Sequence, residues 1–544
     1  MLARPRRMED PARRHGYALA VALVLLISAA LRLWQLGTPT EMMFDEIYYA
    51  KDAKAIVDGR IGTQGQYRWA AGDEVSWPHP EMGKFAIAAG IAVFGYRSFG
   101  WRLPAVLAGI GILACVYPLG RRLGLSPPWA LLGLLLAATD PLGIAQSRIA
   151  TLDVFIAFWT VLCVLLALRY VQEGWRPAWL FAAGGAGGMA AATKWSGGLA
   201  LIAAAIIVAA AWILQAHRAR ATAQGEAGYV PAETDVPTAS AVPSEASTAG
   251  PPLVPPHAEA ETPAPPQDSL GVRILVLVAA LVAVPVGFYL LSYAPYFWAG
   301  HTIADFRELH RQMVIFNLNL EATHTYASLA PTWIVDYRPV WYYFEGTETY
   351  RGVIAIGNPF LWWLATLSLA AAAALALLRR SYALLPAAGL VVVLYVPWFL
   401  ATRTSFLYYM TPVAPIMAVL VAGALCLFAG GLVPRRGWLA AAAAALAAAV
   451  LWRWVGFGAA WLFWELPHRG GTFFAWVGLT VGVLLAALLL AFLLSERMRR
   501  HRPLMAMVVA GLTIGIVVAF VPIVLGLPIS PRYFEHVMWF PSWI

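Results

Sequence analysis

YALAVALVLLISAALRLW, residues 17–34, is apolar for the length of a bilayer crossing and carries its one charge, Arg32, near its far end. No water in a hydrocarbon core can satisfy open backbone groups, so a run of about 20 such residues is stable there only as a helix. Arg4, Arg6, Arg7, Arg13 and Arg14 precede the run in the manner of a secretory leader. The length suits a full span, however, and no small-residue cleavage pattern follows Leu36, which predicts a retained anchor.

The remainder is written in the same idiom. The 544 residues are 60% hydrophobic and 12% charged, with 24 Trp, far from the balance of a water-soluble domain. Apolar runs near 102–120, 128–146, 152–171, 177–193, 197–215, 272–293, 359–378, 382–400, 407–430, 437–456, 473–494 and 503–526 follow the first. They predict an all-α, polytopic membrane bundle of about eleven to thirteen helices. With the N-terminus cytoplasmic, the clusters at Arg121 and Arg122, Arg169 and Arg176, Arg218 and Arg220, Arg379 and Arg380, Arg435 and Arg436, and Arg497 to Arg502 all fall on the cytoplasmic side. The net charge of +9 is accounted for by those orientation signals, which argues against nucleic acid as a partner. Cys115, Cys163 and Cys426 lie inside apolar runs, so neither a disulfide framework nor a cysteine metal site is expected.

Residues 216–270 turn to Pro, Ala, Glu, Ser and Thr, too poor in bulky apolar groups for a core, and predict a disordered cytoplasmic linker. It divides the chain into an N-terminal membrane module, 1–215, and a C-terminal one, 271–544. Two outer stretches, 37–101 and 294–358, are too long for turns and rich in His, Trp, Tyr and charge. Within the first, FAIAAGIAVF at 85–94 is too short to span and predicts a helix in the interface.

Polar residues that topology does not explain gather on the outer side. Asp45 and Glu46 sit in EMMFDEIYY, where apolar and aromatic neighbours can desolvate a carboxylate into a usable base; the plainer reading has both facing water beyond a helix end. WPHPEMGK places His79, Glu81 and Lys84 in a proline-stiffened turn, the lysine serving either a lipid phosphate or the headgroup layer. In DPLGIAQSRIATLD, Arg148 and Asp153 mark the junction of two spans, as an ion pair or with the arginine on a phosphate. Lys194 in ATKWSG and Arg403 in TRTSF fall at outer helix ends and pose the same choice, while Arg32 sits where a long cation can snorkel. Carboxylates beside cations at headgroup depth suit a substrate with a phosphate leaving group and a lipid tail. No P-loop, Rossmann glycine pattern or HExxH is present to bind a nucleotide-sugar or zinc.

Taken in order, FDEIYYAKDA, HPEMGK with FGYRSFGWRLPA, DPLGIAQSRIATLDVF, ATKWSG and YASLAPTWIVDYRPVWYYFE resemble the motifs of the protein O-mannosyltransferases, membrane glycosyltransferases of the GT-C superfamily. The resemblance covers about residues 30–200 and 294–410 and implies a bacterial-type member, since the second outer loop is too short for the MIR domain of eukaryotic members. It implies transfer of mannose, with inversion, from polyprenyl-phosphate-mannose to Ser or Thr of exported polypeptides at the extracytoplasmic face of the cell membrane, with the secretion translocon as the place of encounter. Carried over, Asp45 is the base and Glu46 its acceptor-binding or orienting partner. Lys84, Arg148, Lys194, Arg403 and Arg32 are expected on the donor phosphate, and Trp333 and Tyr337 along an acceptor groove near His79, Glu81 and Asp153. The family's HPPxGK pattern has proline where this chain has Glu81, which puts the loop shape in question.

Rival readings are a GT-C transferase moving another sugar or using a lipid or glycan acceptor and, from a different class, a lipid flippase or transporter. The latter would carry its ionisable residues at the bilayer midplane on broken helices. A divalent metal held by the outer carboxylates and His79 stays open, since no ligand spacing compels one.

Overall fold

The computed structural model describes residues 11–59, 78–227, 269–319, 323–401, 403–460 and 495–544. The first half runs α1 (Pro11–Leu33), α2 (Glu46–Val57), α3 (Met82–Phe94), α4 (Ser98–Arg122), α5 (Pro127–Ala138), α6 (Pro141–Gln146), α7 (Asp153–Gln172), α8 (Pro177–Ala191) and α9 (Leu199–Ala227). In the second half, α10 (Leu270–Val278) passes through a π turn into α11 (Val284–Ser292), followed by α12 (Ala294–Trp298) and α13 (Ile303–Asn319). A hairpin of β1 (Val340–Glu345) and β2 (Arg351–Ala355) comes next, then α14 (Pro359–Arg379), α15 (Leu385–Tyr395), α16 (Ala414–Phe428), α17 (Gly437–Ala460), α18 (Arg502–Gly515), α19 (Val517–Val524) and α20 (Pro531–Val537).

Among the described residues, 8 helices are long and apolar enough to cross a membrane, and the chain is a multi-pass membrane protein. The runs expected at 128–146, 382–400 and 407–430 instead hold the shorter apolar helices Pro127–Ala138, Leu385–Leu400 and Ala414–Phe428. In the first case Asp140 and Pro141 end α5 and begin α6, because proline has no N–H to continue the ladder yet fits the first turn of a new helix. The run at 473–494 lies outside the described residues. Helix α9 carries on to Ala227, into the stretch expected to be linker, and residues 228–268 lie outside the described set.

Burial follows the logic of lipid rather than water. Leu19, Leu23 and Leu26 of α1 are exposed on its outer face, whereas Arg32 on the same helix is buried. Helix α7 packs against α4, α8 and α9, while α2 packs on α3 and α3 on α4. The expected interfacial helix at 85–94 is α3, which buries Lys84, Ile87 and Ile91.

The β-hairpin is the departure from an all-helical reading. A bulge between Trp341 and Tyr343 lets the consecutive side chains Trp341 and Tyr342 both be buried, which strict alternation forbids. Trp341 donates to the Trp543 carbonyl at 2.9 Å, and Tyr342 accepts from Gln146 at 3.0 Å, tying the outer hairpin to α6.

Backbone contact between helices uses small residues, as lipid-embedded packing requires. A β-carbon on Gly184 of α8 would stand 1.7 Å from the Ala280 carbonyl oxygen in the π turn, and one on Gly188 would stand 2.7 Å from Cα of Pro285. Gly184→Val therefore forces α8 away from α10–α11, at a cost of about 1–3 kcal/mol. Its thermal unfolding midpoint in detergent should fall by several degrees, while Gly287→Ala, with open space around it, should leave the midpoint unchanged.

Candidate active site

The site is organised from Arg102, one turn into α4. Its Nε donates to Oε1 of Glu46 and its Nη2 to Oε2, both at 2.8 Å, and neither side chain is exposed. The same guanidinium donates to the Pro39 carbonyl at 2.6 Å and the Glu41 carbonyl at 2.8 Å. Glu46 in turn accepts the N–H groups of Met43 and Ala150, each at 3.0 Å. Burying two charges is tolerable only when their hydrogen bonds are filled in this way. The result pins the loop before α2 to α4 and to the 147–151 turn, and so fixes the adjacent Asp45. Glu46 thus holds the loop that carries Asp45. Arg102 went unassigned in the sequence reading, although FGYRSFGWRLPA contains it.

Phe44, next to Asp45, has φ of 46°, the left-handed region an aromatic residue adopts only when its surroundings enforce it. Its ring lies 5.0 Å from Tyr342 and 5.8 Å from Tyr408, against the second outer loop and the segment before α16. Asp45 itself keeps part of its surface open. Burial on its remaining sides raises its carboxyl to about 7, against the pull of Lys194 and with a small push from Asp153.

Lys194 comes from the turn between α8 and α9. Its Nζ lies 3.3 Å from Asp153 Oδ1 at the start of α7 and 4.3 Å from the centre of the Tyr409 ring. Arg403 reaches the same tyrosine from another segment, donating to Tyr409 Oη at 2.9 Å, and its other nitrogen donates to Asn317 at the end of α13. His79 stands within the field of three cations. Burial first, then Lys194, Arg403 and Lys84, hold its imidazole well below its usual range and therefore neutral. A cavity of about 320 Å³, counting its open mouth, adjoins Asp153 and Tyr409 and is walled by Ile156, Leu199, Leu394 and Trp398.

Not every expected residue joins this group. Arg148 does not pair with Asp153; it donates to the carbonyls of Arg32 at 2.6 Å and Trp34 at 2.7 Å, closing the open end of α1. Arg32 donates to Ser147 Oγ at 2.9 Å and to the Ser28 carbonyl, and lines a separate cavity with Asp140 and Gln146. Lys84 adds to the field at His79 but is itself buried and paired, its Nζ 2.8 Å from Glu81 Oε2 and 3.7 Å from Asp52 Oδ2. Trp333 is buried and donates to Ser328 Oγ at 3.0 Å, backing Tyr409 edge-on at 5.8 Å rather than lining a groove. Tyr337 is largely exposed. Among the described residues no group of three or more His, Cys, Asp or Glu is placed to hold a metal ion.

The family model for dolichyl-phosphate-mannose-protein mannosyltransferase matches residues 77–300, and the model for the C-terminal membrane region of protein O-mannosyltransferase matches residues 302–468. The chain belongs to the protein O-mannosyltransferase family. Among its relatives is the polyprenol-phosphate-mannose--protein mannosyltransferase of Mycobacterium tuberculosis, 25% identical, with 74% of this chain and 79% of that one covered. The enzyme of the same name from Mycolicibacterium smegmatis is also 25% identical, with 75% and 82% covered. In structure, this O-mannosyltransferase-family chain is similar to the Saccharomyces cerevisiae Pmt1–Pmt2 complex bound to the sugar donor, with a TM-score of 0.64, 12% identity and coverage of 97% and 93%. ArnT from Cupriavidus metallidurans in the apo state gives a TM-score of 0.50 at 16% identity, over 96% of this chain and 78% of that one. These likenesses establish a GT-C membrane fold.

Removing Arg102 should be felt as lost structure before lost chemistry. Arg102→Met leaves Glu46 charged and buried without a cation, a penalty of about 3–5 kcal/mol. The thermal midpoint in detergent should drop sharply, and the Glu46→Gln/Arg102→Met double variant should fall by less than the sum of the two singles.

Proposed function

We propose that this O-mannosyltransferase-family chain transfers mannose from polyprenyl-phosphate-mannose to Ser or Thr hydroxyls of exported polypeptides at the extracytoplasmic face, with inversion. The observation that carries the proposal is the placement of Asp45, a part-open carboxylate raised to about 7, beside Lys194 and the Arg403–Tyr409 contact from two other segments. An inverting transfer needs a base on one side of the anomeric carbon and positive charge on the other.

In that step Asp45 accepts the proton of the acceptor hydroxyl as its oxygen bonds to the anomeric carbon. The bond from that carbon to the phosphate oxygen breaks, and its electron pair stays on the phosphate. The phosphodiester donor carries one negative charge and the departing polyprenyl phosphate up to two, so Lys194 and Arg403 stabilise charge that grows as the reaction proceeds. Neutral His79, within the field of both, can donate a hydrogen bond without adding charge. The relatives' names support the donor and the protein acceptor, and the arginine clusters support a cytoplasmic N-terminus. Arg148 and Arg32 are assigned to holding the end of α1 rather than to the phosphate.

With purified protein in vesicles, polyprenyl-phosphate-[¹⁴C]mannose and a Ser/Thr-rich peptide, the wild-type chain should form glycopeptide. Asp45→Asn should lose at least about a thousandfold in rate while keeping the wild-type elution profile. A base titrating at about 7 is protonated below that value. The rate at low substrate should therefore rise about tenfold per pH unit up to about 7 and level off above it. Lys194→Met should raise the donor KM about tenfold or more with little change in the peptide KM. Movement of labelled lipid across the bilayer with no glycopeptide would favour a flippase.

A further inference from the structure

The start of α3 is fastened to the turn that carries Lys194, the Met82 N–H donating to the Ala192 carbonyl at 3.0 Å and Gly83 lying against Thr193, so Lys84, Lys194 and Arg403 all bear on the His79 imidazole, yet they are not equally available to a ligand. Their partners differ in kind. Arg403 is met by neutral groups, Asn317 and Tyr409. Lys194 has one carboxylate, Asp153, at 3.3 Å. Lys84 has two, Glu81 at 2.8 Å and Asp52 at 3.7 Å, with the exposures of the three side chains at 0%, 2% and 1%. Glu81 precedes α3 and lies three residues before Lys84, so the closer pair is built into the first turn of one helix, while Asp52 approaches from α2. The field of Glu81 also reaches Tyr289, whose hydroxyl holds Trp195, the residue after Lys194. This carboxylate therefore sits at the border of the cation group, at the position where the motif resembled in sequence has proline.

We infer that Glu81 is a turnover-determining residue of this site: by neutralising Lys84 it limits the phosphate site to two available cations and keeps the spent lipid phosphate from binding too tightly. The inference rests on the proposed transfer reaction. A site with three available cations would favour the product, a phosphomonoester with up to two charges, over the singly charged phosphodiester donor, because Coulomb attraction scales with the ligand's charge. Uniformly tighter binding of a product slows turnover without lowering the chemical barrier. A carboxylate clamped on one lysine removes that excess and leaves Lys194 and Arg403 in place.

The test is inhibition by undecaprenyl phosphate of mannosyl transfer in vesicles. Glu81→Gln should tighten the product inhibition constant about tenfold and lower kcat, with a smaller effect on the donor KM. Glu81→Asp should keep the wild-type inhibition constant, and Glu81→Gln/Lys84→Met, which removes both charges together, should return it to within about twofold of wild type. An unchanged inhibition constant in folded Glu81→Gln would overturn the inference, as would a double variant that stays as tightly inhibited as the single. Should Glu81→Gln not fold, Lys84→Met serves alone: an inhibition constant weakened as much as by Lys194→Met makes Lys84 a phosphate ligand and ends the inference, and an unchanged one upholds it. If Lys194→Met leaves both donor KM and product inhibition untouched, it is the assignment of the phosphate site that fails, independently of Glu81.

Discussion

One guanidinium holds the surroundings of Asp45 together. Arg102 reaches from α4 to both oxygens of Glu46 and to the carbonyls of Pro39 and Glu41, so a loop that would otherwise be free beyond α1 is anchored at four points. Buried charges are costly, and the cost is met only when every donor and acceptor is used. Because Glu46 also takes the N–H of Ala150, the same pair sets the first outer loop against the α6–α7 junction, where Asp153 begins α7. Asp45 and Asp153 are thereby brought to one place although they stand 108 positions apart in the chain.

Around that anchor, neighbouring charges take on different tasks according to their partners. Asp45 has an open side and little direct compensation, which raises its proton affinity to the range where a base can still turn over. Glu46, its neighbour in sequence, is locked in an ion pair and can only orient. Among the cations, Lys194 and Arg403 share the Tyr409 ring system, whereas Arg148 closes the last turn of α1 through carbonyl oxygens. The second outer loop adds the aromatic wall, with Tyr342 delivered by a bulged strand and held by Gln146.

Much of this architecture was legible in the sequence for a simple reason: the bilayer leaves few ways to satisfy a backbone, so apolar length reads directly as a helix. The exceptions have local causes. Asp140 and Pro141 split one apparent span into α5 and α6, and the Trp341–Tyr343 bulge breaks the alternation by which a strand shows itself in sequence. For the site, the signal was an ionisable residue at an outer helix end, and it picked out Asp45, Lys194, Arg403, Arg148 and Arg32 alike. It measures the cost of placing a charge there and says nothing of which partner repays it. Only three-dimensional placement distinguishes Arg403, on Asn317 and Tyr409, from Arg148, on main-chain oxygens. Arg102 and Asp52 were missed because their partners, Glu46 and Lys84, are far along the chain and no spacing rule connects them.

The central claim is geometric: a base on one face of the sugar and two cations on the other. The most direct measurement is a structure of this chain with an intact, non-hydrolysable polyprenyl-phosphonate-mannose bound. The account places the phosphonate oxygens within hydrogen-bonding distance of Lys194 and Arg403, with the anomeric carbon between them and the Asp45 carboxylate. A phosphonate seated on Arg148 and Arg32, with Asp45 remote from the anomeric carbon, would contradict it.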